Sequence, residues 1–273
     1  MSNEIKTTPW LIFSAFNRHR SLTWEMTKRD VTGRYRGASL GMAWSMISPF
    51  LMLMVYTLAF GTIMKSRWPE AEGSTSNFAL IIFIGLIIHG FFSECFIRSA
   101  NLVVTNPNFV KKIIFPLEIM PWPMIFSALF HAFMNVLVFV IFHWYVVGKV
   151  PVTILLLPLV LFPLVILTSG ISWFVAAISV YFRDISQLTS PIATAMLFLS
   201  SAIVPLDSVP PSFKRIFELN PLTLIIDQAR NVALWGRFPD WQGLLLYTAV
   251  SCCIALAGFL FFQAGRKGFA DVL

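Results

Sequence analysis

The chain has 273 residues, of which 57% are hydrophobic and 12% charged, with a net charge of +7 and a mean hydropathy of +0.77. That balance lies outside the range of water-soluble globular domains and makes lipid the main solvent. The basic excess lacks the clustered, base-reading face of a nucleic-acid binder, so no nucleic-acid partner is expected.

In chain order, residues 1–40 are polar and lack the short basic region, apolar core and small-residue cleavage site of a signal peptide. The first apolar stretch is therefore expected to act as the insertion signal. Thr8 followed by Pro9 suits a helix cap and first helical position, and Trp10, Phe13 and Phe16 then share a stripe ahead of Arg18, His19 and Arg20. A second helix is expected from Ser21 through Leu22 and Met26 to Lys28-Arg29, ending near Gly33. An aromatic face beside a basic one suits a helix lying along an anionic membrane surface. Packing on the protein's own cytoplasmic surface is the competing reading.

Crossing roughly 30 Å of hydrocarbon takes about 20 apolar residues. Stretches near Gly41–Met64, Phe78–Ile97, Trp122–Phe142, Val152–Val180, Gln187–Pro205 and Leu244–Phe262 meet or approach that length, which predicts six helical spans. The fifth is the weakest, diluted by Thr189, Ser190, Thr194, Ser200 and Ser201 and interrupted by Pro191. Pro and hydroxyl residues are tolerated where neighbouring helices satisfy the backbone.

Lys and Arg set the orientation, because short basic loops resist translocation. One side would hold Lys6, Arg18, Arg20, Lys28, Arg29, Arg34, Arg36, Arg98, Lys111, Lys112, Arg183, Arg266 and Lys267. The other would hold Lys65, Arg67, Lys149, Lys214, Arg215, Arg230 and Arg237. Both termini are therefore expected on the cytoplasmic side.

Two connections carry more pattern than a plain loop. Between the second and third spans, Asn106-Pro107 and Phe115-Pro116 bracket a helix-sized piece with Lys111 and Lys112 outward and Val110, Ile113 and Ile114 available to pack. It reads as a docking element or as a basic loop obeying the orientation rule. From Asp207 to Trp241, a helix through Phe213–Leu219 is predicted to break at Asn220-Pro221. A second helix then follows, with Leu222, Ile225, Ile226, Ala229 and Val232 on one stripe until Gly236. Two short helices dipping into the outer side would make a gate, and an interfacial surface helix is the alternative.

The chemistry of an enzyme or pump is scarce. His89, Glu94, His131 and His143 are the only candidates in or near the span ends for a proton or cation relay, too few for the carboxylate relays of coupled transport. No Ser/His/Asp grouping, paired carboxylates or HExxH is present, and no GxxxxGK[ST] loop that could hold ATP. Cys95, Cys252 and Cys253 lack metal or disulfide spacing and read as buried, unreactive thiols. Metal ligands and catalytic residues are therefore not assigned. Ser190, Thr194 and Ser201 in the fifth span, and Thr168, Ser172 and Ser179 in the fourth, form hydroxyl stripes on a helical wheel. Such stripes either line a weakly polar path or bond their own helix and permit close packing. Met52, Tyr56 and Phe60 share one face of the first span, where rings can stack on sugar C–H faces or simply pack.

The runs RDVTGRYRGASLGMAWSMISP (Arg29–Pro49), NPNFVKKIIFPLEIMP (Asn106–Pro121), YFRDI (Tyr181–Ile185) and LNPLT with Arg230 carry a resemblance. In this order on a six-span scaffold, they resemble the permease subunits of polysaccharide-exporting ABC transporters, above all O-antigen lipopolysaccharide exporters. Capsule and teichoic-acid exporters are near relatives. The resemblance implies an all-α membrane protein, a single transmembrane domain over 1–273. Residues 1–40 would be a cytoplasmic amphipathic segment, 41–264 a six-span body and 265–273 a cytoplasmic tail. It implies a homodimer in the bacterial inner membrane, with two separate ATPase subunits binding ATP and Mg, so that this chain needs no cofactor and is not itself an enzyme.

On the same grounds, Asn108, Phe109, Lys111, Lys112, Phe115, Pro116 and Glu118 would couple to the ATPase, and Pro211, Phe213, Asn220, Pro221 and Arg230 would belong to an outer gate. Arg29, Arg34 and Arg36 would stand at the entrance, receiving a polyprenyl diphosphate or anchoring to anionic lipid. Met52, Tyr56, Phe60, Ser190, Thr194 and Ser201 are the candidate channel lining. The expected cargo is a polyprenyl-diphosphate-linked polysaccharide. Competing functions are export of a drug or small lipid, and an ATP-independent membrane enzyme or scramblase using His89, His131 or Glu94.

Overall fold

The structure, a computed structural model, describes residues 16–59, 75–111 and 115–273. Among the described residues every regular element is a helix, as expected where lipid offers the backbone no hydrogen-bond partner. These are α1 (Arg20–Arg34), α2 (Trp44–Tyr56), α3 (Thr75–Asn101), α4 (Pro107–Lys111), α5 (Pro121–Val147), α6 (Leu157–Tyr181), α7 (Ile185–Phe198), α8 (Pro211–Leu219), α9 (Pro221–Ala233), α10 (Trp241–Gly265) and α11 (Phe269–Val272). The predicted stripe of Trp10 and Phe13, the channel candidate Phe60, and Lys112, Ile113 and Ile114 lie outside the described residues.

Five stretches are long and apolar enough to cross a membrane: Gly41–Ala59, Phe78–Asn101, Leu117–Val147, Val152–Tyr181 and Trp241–Val272. They contain α2, α3, α5, α6 and α10. The expected fifth span, Gln187–Pro205, departs from the six-span reading, because α7 is helical over only 14 residues. At 1.5 Å per residue that is about 21 Å, short of the hydrocarbon thickness.

Local chemistry stops α7. Ser200 Oγ donates to Leu197 O at 2.9 Å and accepts from Ala202 N at 3.3 Å, offering the backbone an alternative to the helical ladder. Asn220 Nδ2 donates to Met196 O at 2.8 Å and Leu199 O at 2.9 Å, so the last carbonyls of α7 are capped from a distant loop. The same Asn220 accepts from Leu222 N at 3.0 Å through Oδ1, capping α9. One side chain thus joins the end of α7 to the start of α9.

The pairing of α6 with α10 fixes the course of the chain between them. Gly170 meets Ala255, Trp173 meets Phe259, and Tyr181 Oη donates to Gly265 O at 2.7 Å. Both sequences advance together, so the helices run parallel, and the segment from Phe182 to Asp240 must return to the end where α6 begins. Glycine makes the approach possible. A Cβ on Gly258 would stand 2.1 Å from Gly170 O, and one on Gly170 would stand 2.5 Å from Ala255 Cα. Small residues at a crossing are how membrane helices obtain dense contact without a hydrophobic driving force. The buried hydroxyls of Thr168, Ser169, Ser172 and Ser179 belong to this packing, with Ser179 and Ser169 bonded to their own i−4 carbonyls at 2.7 Å.

The α8–α9 hairpin sits at the end where α6 starts, since Thr153 Oγ1 donates to Val232 O at 2.6 Å. Its break at Asn220-Pro221 and its stripe follow the sequence reading: Leu222, Ile225, Ile226, Ala229 and Val232 are all fully buried. In α8 the balance is reversed, and Phe213, Ile216 and Leu219 face outward. The opposite end of the molecule holds α1, α4 and α11 together, so both described termini lie on one side.

Candidate functional site

At the shared end, α1 is bound to the body through charge. Arg98, in the last turn of α3, donates to both oxygens of Asp30 at 2.8 and 2.7 Å and to Glu94 Oε1 at 3.0 Å. Arg34 completes the chain by pairing with Glu94. Arg98 and Glu94 stand four residues apart, on one helix face. Tyr35 Oη lies 3.0 Å from His131 Nδ1 on α5. Burial pushes the Tyr35 phenol above its usual pKa, with Arg34 opposing and Glu94 reinforcing the shift, so the group stays a neutral hydroxyl.

Of the entrance candidates, Arg34 is thus engaged by Glu94, while Arg29 and Arg36 are exposed and without an ion-pair partner among the described residues. A cavity of about 640 Å³ lies beside this network, lined by Arg29, Asp30, Arg34, Arg98, Asn106 and Phe109 among others. It joins α1 to the beginning of α4.

The coupling candidates form a wedge against the ends of α6 and α10. Phe109 and Phe115 stack with centroids 4.4 Å apart, and both pack on a cluster containing Trp173, Phe259, Phe262 and Phe269. Trp173 Nε1 donates to Glu118 O at 3.0 Å, and Arg266 donates to Glu118 Oε2 at 2.7 Å. Glu118 is therefore turned toward the C-terminal segment, whereas Asn108 points to solvent. Pro116, extended at φ −76° and ψ 91°, leads into the turn that starts the third span. Any push on this wedge reaches α6 and α10 directly.

The channel candidates separate. Ser190 and Thr194 are exposed on α7, Thr194 bonding Ser190 O at 3.0 Å, and Met52 is exposed on α2. Tyr56 lines a cavity of about 310 Å³ between α2, α3 and α5. Ser201 lies inside the fold, fully buried and donating to Thr223 O at 3.3 Å, because the chain has left the helix before reaching it. It holds the loop after α7 to α9.

Among the gate candidates Pro211 and Phe213 are exposed, while Asn220 and Arg230 are junctions. Pro221 occupies the first position of α9. The Arg230 side chain is fully buried. Its Nε donates to Ile81 O at 3.1 Å, Nη2 to Ala202 O at 3.0 Å and Nη1 to Asp227 Oδ1 at 3.3 Å. Gly85 leaves room for it, since a Cβ there would meet Ala202 Cα at 2.9 Å and Arg230 Nη2 at 3.1 Å. Burial raises the Asp227 carboxyl pKa, opposed by Arg230 and Ser201.

His89 Nε2 is 2.9 Å from Ala193 O on α7, a bridge between helices. Cys95 is buried, but Cys252 and Cys253 are exposed on α10, against expectation: they occupy its outward face rather than the side turned to α6. Sequence reasoning passed over Asp30, Arg266, Trp173 and the glycines at the crossing. The i, i+4 spacing of Glu94 and Arg98 was the available signal.

Residues 21–234, from α1 to the end of α9, match the family described as ABC-2 type transporter. The chain belongs to the ABC-2 type transporter family. It is 27% identical to the O-antigen export system permease protein RfbA of Myxococcus xanthus, over 93% of this chain and 96% of that one. It is 25% identical to the protein of the same name from Klebsiella pneumoniae, over 91% and 93%. The polysialic acid transport protein KpsM of Escherichia coli is 23% identical over 84% and 88%. The matched range spans the ionic network, the aromatic wedge and the α8–α9 hairpin, so the described clusters lie within or beside the family's common body. Membership in this family makes the chain a multi-pass transport permease.

Proposed function

We propose that the chain is the membrane subunit of an ATP-driven exporter that moves polyprenyl-diphosphate-linked polysaccharide of O-antigen type across the bacterial inner membrane. The observation that carries this reading is the near full-length match to permeases named for O-antigen export. Two copies form the path, and two separate ATPase subunits bind ATP and Mg and dock beneath.

The basic end, with α1, α4 and α11, faces the cytoplasm, in line with the bias of Lys and Arg. The parallel course of α6 and α10 supports α7, extended by residues 199–205, as the remaining crossing of a six-span body. Closure of the ATPases pushes on Asn108, Phe109 and Phe115. Glu118 passes that push to α10 through Arg266 and to α6 through Trp173. The exposed faces of α2 and α7 then part between the two copies, and the α8–α9 hairpin closes the outer exit. Arg29 and Arg36, without an ion-pair partner among the described residues, receive the diphosphate of the lipid carrier.

Deleting the gene and restoring it should remove and return the surface polysaccharide. Reconstituted with its ATPase, the chain should export glycan only with ATP. Robust export by the chain alone would sink the proposal. The similarity to a polysialic acid transport protein favours a second reading, export of a capsular polysaccharide. The identity of the glycan lost on deletion separates the two.

A further inference from the structure

Asn135 stands 14 residues into α5, about 21 Å along a helix that spans the membrane. It makes no hydrogen bond among the described residues. An amide left unpaired at that depth is costly, and a polar side chain inside a span is a candidate binding group. His131 stands one helical turn away, its Nδ1 held by Tyr35 and its Nε2 closed off from the surface.

Both residues line the 310 Å³ cavity between α2, α3 and α5, together with Trp44, Tyr56 and Ser48. Its volume equals roughly ten waters, more than one pyranose ring with its hydroxyls occupies, so a single ring fits. The only cation among the described lining residues, Arg34, is paired with Glu94. The site thus combines ring faces, an amide and hydroxyls without net charge. Aromatic faces cover sugar C–H surfaces while the amide bonds hydroxyls. A phospholipid phosphate would find no free cation there, and an acyl chain would leave Asn135 unpaired.

We infer that this cavity is a saccharide-binding site that holds a neutral pyranose unit of the exported glycan, with Asn135 bonding its hydroxyls and Trp44 and Tyr56 bounding its faces. The inference rests on the polysaccharide reading above and adds the place where the chain touches its cargo.

The test uses the full chain in its producing host with an ATPase subunit that binds but does not hydrolyse ATP. The photoreactive residue p-benzoylphenylalanine replaces Ser48, which is exposed at the cavity, or Leu246, exposed on α10 away from it. After irradiation, a glycan-specific antibody should detect an adduct from position 48 and none from 246. Asn135→Ala should lower the yield about tenfold, the loss of one well-placed hydrogen bond to a buried partner, at unchanged chain level in the membrane. Should that variant be degraded, Asn135→Ser decides in the same way. Adducts carrying only phospholipid, equal glycan adducts from both positions, or a yield indifferent to residue 135 overturn the inference. Surface glycan that disappears on gene deletion, with no adduct at 48, rejects the cavity alone. Surface glycan that survives deletion rejects the permease reading itself.

Discussion

Two pairs of helices in this chain are built to opposite rules. In α6 and α10 the backbones touch: Gly170 and Gly258 leave no space for a methyl group, and Trp173, Phe259 and Phe262 fill the half of the seam nearer Tyr181. In α2 only Ser45, Pro49 and Leu53 are buried, and in α7 only Thr189 and Ala193. The first pair has found its partner within the chain. The second presents apolar and hydroxyl side chains to whatever lies outside it, which in a transporter means lipid or a second copy. The comparison separates a rigid body, able to transmit a push, from surfaces free to move apart.

The largest effect should come from the rigid part. Arg230 is fully buried against two carbonyls and Asp227, and removing one member of such a group costs about 3–5 kcal/mol. Arg230→Met should therefore abolish the heat-stable folded chain in detergent, and Arg230→Lys should not restore it, because an ammonium cannot reproduce the fork that reaches Ile81 O and Ala202 O. A melting temperature near the native value would show that the hairpin is held by packing alone.

Next in size, Gly258→Val forces branched carbons into Gly170 O and should cost about 1–3 kcal/mol or more. Gly90 provides the contrast, since a Cβ there meets nothing within 4 Å. Gly90→Ala should be neutral or stabilising by up to about 1 kcal/mol, because alanine is the better helix former. Equal melting temperatures for the two variants would remove the distinction between the crossing and an ordinary helix face.

Smaller still in stability, but not in function, is the Glu118–Arg266 pair. Both partners are partly exposed, so the pair contributes about 0.2–1 kcal/mol. If the wedge carries the ATPase stroke, Glu118→Arg should nearly eliminate ATP-dependent export while melting normally, and adding Arg266→Glu should recover much of it. Export that follows neither change would leave the wedge as a passive brace.

Periodicity made the hairpin legible, since the stripe from Leu222 to Val232 and the Asn220-Pro221 break are local features that the structure reproduces. Length and hydropathy made five spans legible for the same reason. The end of α7 was not legible, because Asn220, far along the chain, takes the carbonyls that a continuing helix would have used. Likewise Ser201 shares a helical wheel with Ser190 and Thr194 only while the helix persists, and it does not. The ionic network showed only in part: the spacing of Glu94 and Arg98 is visible, but the reach to Asp30 depends on how α1 folds back. Asn135 was hidden by its setting, a single amide in a strongly apolar span whose cavity needs three helices to exist.

The least disruptive test falls on the exposed pair. Met52 on α2, Leu188, Ile192 and Ala195 on α7 and Leu199 just past its end are exposed, so cysteine at any one of them should change stability by no more than about 0.5 kcal/mol. In a two-fold dimer the same residue on both copies can meet only near the symmetry axis, and a disulfide forms there only when the Cα atoms come within about 7 Å. The native thiols at Cys252 and Cys253 are exposed and must first become serine, while buried Cys95 can remain. Mild oxidation in membranes should then give a covalent dimer at one or two of these positions and none at Leu246→Cys on α10. Bonds at Leu246 with none along α2 or α7 would place the second copy against the other face of the body. The thinly packed helices would then be lipid-facing, and the glycan path would have to run elsewhere.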